Sequence, residues 1–213
     1  MNRVPNSFID DLAEDLAPVT PLRLWHGVAL VALSALVTIV LVELLDGLWR
    51  GIVEGEASTT FFIANGMLGL LGAAAAGAVV QMASPRVGNR HEGARWSGLM
   101  LALLPLSALF VFGGSGLVTA MASDAYGLDC LLAGAAFGLV TAGALVGWLR
   151  RGAPVSLAAA GTYTGIAAGA LGSFTYGLAC PIDTIDHLGT FHVAPVLLMG
   201  LIGRFAVPPL VRW

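Results

Sequence analysis

The sequence has little charge and no lysine. Only 11% of its 213 residues are charged, and all ten basic residues are arginine. Ordinary soluble domains carry about 25% charged residues, so the composition excludes a separate soluble domain of ordinary make-up. The net charge is −3, and the arginines form no basic patch larger than a loop. We therefore expect no direct nucleic-acid partner.

What is abundant is apolar sequence, at 57% of residues with a mean hydropathy of +0.86. The first apolar run, from Leu24 to Leu45, has 22 residues, about 33 Å as a helix and long enough to cross a bilayer. An acidic segment precedes it where a basic region should be, so we do not expect a cleaved signal peptide. The fold class predicted is an all-α membrane protein, a six-transmembrane-helix bundle spanning residues 23–213. The predicted spans are about 24–45, 58–82, 96–112 (kinked at Pro105), 125–149, 155–179 and 190–211.

Arginine placement predicts the orientation of the bundle. Positively charged residues concentrate on the cytoplasmic side of membrane proteins. With the N-terminus in the cytoplasm, only Arg50 lies outside, and both termini are cytoplasmic. The arginines then at or near the inner side are Arg3, Arg23, Arg86, Arg90, Arg95, Arg150, Arg151, Arg204 and Arg212.

Residues 1–22 form a short segment that precedes the first span. Ser7 can cap a helix that Pro18 ends, about three turns later. An apolar stripe at helical spacing comprises Phe8, Ile9, Leu12, Ala13 and Leu16, and Asp10, Asp11, Glu14 and Asp15 cover the opposite face. Two interpretations remain open: a solvated acidic cap on the first span, or a helix that docks into an apolar groove with basic edges.

Two cysteines are the main candidates for chemistry. Cys130 opens the fourth predicted span and Cys180 closes the fifth, and a tight turn at 150–154 makes these helices antiparallel neighbours. Both sulfurs should therefore lie near the outer interface, where a disulfide can form. His187 lies nearby in sequence, so a soft-metal site of Cys130, Cys180 and His187 is an alternative, as is a reactive thiol. Further neighbours in sequence are Asp129, Asp183 and His192. No other cofactor is predicted.

An intramembrane protease of the rhomboid type is a remote alternative. The motif Gly113-Gly-Ser-Gly116 resembles its nucleophile loop, and His187 or His192 could serve as the base. However, Ser115 is predicted to fall in a loop at 113–124, and Asn65 lacks the neighbouring histidine of that family. A flexible turn explains the motif better, and we do not expect an enzyme.

A small-solute transporter or channel is the other alternative. Proline interrupts the third and sixth predicted spans, as in the broken helices of transporters. Coupled transporters usually carry ionisable residues at mid-membrane, whereas Glu43 and Arg204 lie towards the ends of their spans. Asn65 is better explained as a hydrogen-bonding residue between helices.

Small residues repeat along the fourth and fifth predicted spans and predict close helix packing. The repeats at four-residue spacing are Gly161/Gly165/Gly169, Gly134/Gly138 and Gly143/Gly147.

Nearly the whole chain resembles the NrsF-like integral-membrane anti-sigma factors of proteobacteria. The motifs that carry the resemblance are short, but their order and spacing are specific. They are Asp11-Leu12, Asp15-Leu16, Pro18-Val19, Ala64-Asn65-Gly66, Cys130, Cys180-Pro181 and Arg212-Trp213, together with six spans.

The resemblance implies a multi-pass protein of the bacterial inner membrane that takes part in stress signal transduction. Such proteins hold a sigma factor of the extracytoplasmic-function (ECF) class away from RNA polymerase until an envelope signal arrives. The resemblance places the sigma contact on the N-terminal segment and favours the docking helix. The predicted contact residues are Phe8, Ile9, Asp11, Leu12, Asp15 and Leu16. We further hypothesise that oxidation of Cys130 and Cys180, or metal binding to them, is the signal that releases the sigma factor.

Overall fold

The computed structural model describes residue 14, residues 22–85 and residues 92–212, and this part of the chain is helical without strands. All the residues predicted to contact a sigma factor lie outside the described residues: Phe8, Ile9, Asp11, Leu12, Asp15 and Leu16. Of the acidic face of this segment, only Glu14 is described. The helices in chain order are α1 Leu24–Leu45, α2 Gly51–Glu54, α3 Thr59–Met82, α4 Glu92–Leu101, α5 Leu103–Ser123, α6 Gly127–Leu149, α7 Leu157–Gly177, α8 Ile185–His187 and α9 Ala194–Val211, with a π turn Leu188–His192 before α9.

Within the described residues, five helical segments are long and apolar enough to cross a membrane. They are Leu24–Leu45, Thr59–Met82, Glu92–Gly114, Gly127–Leu149 and Ile185–Val211. The fifth predicted span corresponds to α7, which has 21 residues but is not among these five. The reason is its composition: α7 is rich in glycine and alanine and carries hydroxyl side chains such as Thr164, Ser173 and Thr175.

Helix α7 is the centre of the bundle. It packs against α9, α6, α3 and α1, and the buried Thr164, Ser173 and Thr175 lie on it. Because its neighbours cover it, α7 lacks the exposed leucine and valine side chains that make the outer helices apolar.

The predicted glycine packing is confirmed at the surfaces of α7. A Cβ added at Gly161, Gly165 or Gly169 would collide with backbone carbonyl oxygens of α9. Backbones approach this closely only where no side chain intervenes, as is typical of membrane helix pairs. The prediction fails for Gly143 and Gly147 on α6, where an added Cβ would meet nothing within 4 Å.

The third predicted span differs from the structure at its start, in its interior and at its end. Its helix begins at Glu92 rather than at residue 96. It is interrupted at Ala102, three residues before Pro105, which cannot donate a backbone hydrogen bond to the preceding turn. The prediction of a loop at 113–124 is wrong: Gly113 takes a positive φ of 65°, and the helix then resumes and ends at Ser123. Gly113 therefore acts as a single-residue kink between two apolar helical segments.

The last span begins earlier than predicted. Its helical turns start at Ile185 rather than Thr190, and they pass through the π turn Leu188–His192. Pro195, at the start of α9, has no N–H to donate to the carbonyl of the preceding turn, so the regular backbone hydrogen-bond pattern is interrupted here. Single π turns of this kind occur frequently at functional sites.

Candidate metal centre

The two cysteines meet at one end of the α6–α7 hairpin. Cys130 lies in the first turn of α6, and Cys180 follows the end of α7. The short connection at 150–154 makes the two helices antiparallel, so the start of α6 and the end of α7 share one end of the bundle. The sulfurs of Cys130 and Cys180 lie 3.8 Å apart, and both residues are buried.

Two histidines complete the cluster. His187 lies on α8 and His192 ends the π turn, and their ring centroids are 5.3 Å apart. The wider turn brings residues five apart onto the same side. His187 Nε2 lies 3.5 Å from Cys180 Sγ. One potential ligand atom from each of Cys130, Cys180, His187 and His192 lies within 4.8 Å of the others. We call these four residues the Cys2His2 cluster.

Two distances within the Cys2His2 cluster match those around a tetrahedral metal ion, and all four ligand atoms lie within 4.8 Å of one another. With bonds of about 2.3 Å to sulfur and about 2.1 Å to nitrogen, tetrahedral angles place two sulfurs about 3.8 Å apart and a sulfur and a nitrogen about 3.6 Å apart. The observed sulfur–sulfur separation of 3.8 Å and the sulfur–nitrogen separation of 3.5 Å agree with this arrangement. A disulfide, by contrast, needs a bond of about 2.05 Å, so the sulfurs would have to approach one another further.

His192 provides a separate indication of a ligand. Its side chain is 1% exposed, its ring lies beside Cys180 and lowers the pKa of that thiol, and neither ring nitrogen makes a hydrogen bond of good geometry with a described residue. A buried imidazole without partners is costly, and native proteins satisfy nearly all such groups. A metal ion bound to one nitrogen would satisfy that nitrogen directly.

Asp124 orients the other histidine. Its Oδ2 lies 2.6 Å from His187 Nδ1, and its Oδ1 accepts a hydrogen bond of 3.0 Å from the backbone N–H of Tyr126. The short contact favours the tautomer in which Nδ1 carries the proton, which leaves the Nε2 lone pair directed at Cys180 and the cluster. Carboxylate–histidine pairs of this type commonly support metal ligands.

The environment of Cys180 favours its thiolate form, which is the form that binds metals. The hydrogen bond with the Cys130 thiol lowers the pKa of the Cys180 thiol, and His187 acts in the same direction, although burial opposes them. The Cys180 Sγ atom also lies 3.8 Å from the carbonyl oxygen of Ile182.

The structure brings together the predicted residues Cys130, Cys180 and His187, and it adds His192, which the sequence only placed nearby. The two other acidic neighbours lie apart from the cluster. Asp183 accepts a hydrogen bond from the backbone N–H of Ser58, and Asp129 is exposed. Sequence reasoning missed Asp124, because its contact with His187 spans 63 positions of the chain and follows only from tertiary packing.

The class of molecule defined by these features is a bundle of apolar, membrane-length helices with a buried thiol–imidazole cluster at one end. The family profile described as negative regulator of sigma F, NrsF, matches residues 12–213, and the chain belongs to this family. The family is a class of regulatory proteins that act on a sigma factor, not a class of enzymes, and a sigma factor is therefore the implied partner. A search of curated proteins and a search of solved structures each found no match.

Proposed function

We propose that this protein is an integral-membrane anti-sigma factor that holds an ECF sigma factor at the bacterial inner membrane. It releases the sigma factor when a soft metal ion binds the Cys2His2 cluster, or when its two thiols are oxidised. Membership of a family that negatively regulates a sigma factor supports the regulatory role. The four converging ligand atoms carry the sensor part of the proposal.

The membrane placement rests on the apolar helices and the arginines. Five described segments have the length and composition of membrane spans, and α7 would cross the bilayer as the sixth, shielded by its neighbours. Nine of the ten arginines lie at or near one predicted side. Both termini are then cytoplasmic, and the Cys2His2 cluster faces the periplasm, where thiols meet oxidants and incoming metals.

The sigma factor binds the cytoplasmic N-terminal segment in this proposal. The apolar stripe of Phe8, Ile9, Leu12 and Leu16 would enter a groove of the sigma factor, and Asp11 and Asp15 would face its basic edges. Such a short helix is marginal alone in water, so binding and folding would be coupled.

Two helices connect the Cys2His2 cluster with this segment. Helix α6 carries Cys130 in its first turn and ends at Leu149, and α9 begins two residues after His192 and ends at Val211. Leu149 and Val211 belong to one buried cluster at the far end of the bundle, and Leu22 packs against it. A change in how the sensor end packs can therefore reach the residues that lead into the docking segment.

The coupling has a defined energetic requirement. A bound metal shifts the bundle only if it binds one packing of the helices more tightly than the other. A 100-fold loss of sigma affinity corresponds to about 2.7 kcal/mol of coupling free energy. Structural zinc sites contribute on the order of 10 kcal/mol, so a difference of about a quarter of that between the two packings would be sufficient.

The experiment measures release of the sigma factor from the purified complex on addition of Zn²⁺, Cu⁺ or the thiol oxidant diamide. The variant Cys130→Ser/Cys180→Ser should abolish every response. The variant His192→Ala should abolish only the metal response, because both sulfurs remain. Asp129→Ala, which removes an exposed neighbour of Cys130, serves as the matched control and should respond normally. Undiminished release from the double cysteine variant would refute the sensor role and leave the anti-sigma role intact.

A further inference from the structure

An apolar groove lies between four parts of the bundle and extends from Arg95 and Arg204 to Val193. It has a volume of about 750 Å³ and is bordered by α4 with the start of α5, by α3 through Leu71, by α7, and by α9. Its walls are almost entirely apolar and include Leu71, Leu101, Ile166, Val196 and Leu201. The volume is in the range of about 300–1,000 Å³ that is usual for ligand sites.

The groove opens onto the outside of the bundle. Leu197 and Leu201, which line it on the α9 side, are 72% and 60% exposed. Both residues lie in a segment with the length and composition of a membrane span. The surroundings of the opening are therefore acyl chains rather than water, and lipid is the molecule available to fill it.

Two arginines are the charged residues that line the groove. Arg95 comes from α4 and Arg204 from α9, and both are exposed. Neither guanidinium forms an ion pair or a hydrogen bond with any residue in the described ranges, and no acidic residue lines the groove there. We call this site the Arg95–Arg204 groove.

The depth of Arg204 makes an anionic partner favourable. It lies seven residues before the end of α9 at Val211, which corresponds to about 10 Å along the helix axis. A guanidinium at this depth must reach towards the interface or find a counter-charge. A phosphodiester satisfies it, because phosphate oxygens accept paired hydrogen bonds from the planar guanidinium group.

We propose that the Arg95–Arg204 groove binds an anionic phospholipid of the cytoplasmic leaflet. The phosphate lies between the two guanidinium groups, and an acyl chain lies along the apolar walls towards Leu71 and Val196. Basic pockets between membrane helices on the cytoplasmic side are suited to anionic headgroups. The lipid joins α4 to α9 without any direct contact between the two arginines. This site does not depend on sigma binding or on the metal centre.

The test is native mass spectrometry of the full-length protein in mild detergent, with dioleoyl phosphatidylglycerol and dioleoyl phosphatidylethanolamine added in turn. The wild type should retain phosphatidylglycerol at least 10-fold more than phosphatidylethanolamine. Arg95→Gln/Arg204→Gln should lose this preference. The matched control Arg150→Gln/Arg151→Gln removes two exposed arginines of the same predicted side outside the groove, and it should keep the preference.

A second variant tests the apolar wall separately. A Cβ at Gly98, which lines the groove, meets only Leu71 Cδ1, at 3.8 Å, so Gly98→Leu should fill the groove without disturbing the backbone. This variant should reduce retention of both lipids, and its folding is checked by size-exclusion chromatography. Equal retention of the two lipids by the wild type would overturn the proposal, as would an equal loss of preference in the control. Displacement of the lipid by soluble glycerol phosphate at equal concentration would also overturn it, because it would indicate a site for free phosphate.

Discussion

Replacing Asp124 by asparagine tests the metal centre through a residue that would not touch the metal. Asp124 Oδ2 lies 2.6 Å from His187 Nδ1, and the carboxylate is 13% exposed. Asparagine has nearly the same shape and can still accept the hydrogen bond from the backbone N–H of Tyr126. The substitution therefore removes the negative charge that supports the His187 imidazole while it leaves the local backbone in place.

The expected effect is a loss of metal affinity of about 10- to 100-fold, the range usual for outer-shell partners of metal-bound histidines. This corresponds to about 1.4–2.7 kcal/mol of binding free energy. The loss should be smaller than that of His192→Ala, which removes a ligand outright.

The assay is competition for Zn²⁺ between the detergent-solubilised protein and a chromophoric chelator, under reducing conditions that keep both thiols free. Asp129→Asn is the matched control, because Asp129 is an exposed carboxylate next to Cys130 in sequence and lies in the first turn of α6. It should bind Zn²⁺ like the wild type. Unchanged affinity in Asp124→Asn, or an equal loss in Asp129→Asn, would refute the assignment of Asp124 as the support of His187.

Two further predictions address the docking segment and the bundle. Leu12→Asp should release the sigma factor while membrane insertion remains normal, because the substitution places a charge on the apolar stripe. Pull-down of the sigma factor from solubilised membranes measures the release. Retention of the sigma factor would mean that the contact surface lies elsewhere. Gly165→Ala should destabilise the bundle by about 1–3 kcal/mol, because the added methyl group collides with the backbone of α9. Gly143→Ala adds its methyl group to open space and should be neutral or slightly stabilising. Thermal unfolding of both variants measures the difference, and equal melting temperatures would contradict the packing argument.

The proximity of the two cysteines follows from the sequence because it depends on regular geometry. Two helices of known rise joined by a tight turn bring Cys130 and Cys180 to the same level. The glycines of α7 are likewise predictable from their spacing of four. Gly143 and Gly147 have the same spacing but face open space. The prediction fails for these two glycines because their spacing does not specify which face of α6 meets a neighbour.

Other features depend on packing that the sequence does not display. The segment from Gly113 to Ser123 contains residues that favour turns, which is why the sequence predicts a loop there. In the structure only Gly113 departs from helical dihedral angles, and the rest of the segment is helical. The π turn that carries His192 lies just before Pro195, and no spacing in the sequence indicates it. The low hydropathy of α7 reflects its central position, which becomes evident only once its neighbours are in place.

The proposed anti-sigma role depends on the N-terminal segment. Its most direct measurement is co-purification in mild detergent of the full-length protein and of a version lacking residues 1–22, with mass spectrometry of the retained proteins. We expect an ECF sigma factor with the full-length protein and none with the truncated version. Absence of a sigma factor from both preparations would contradict the anti-sigma role, and retention by both would place the contact on the bundle itself.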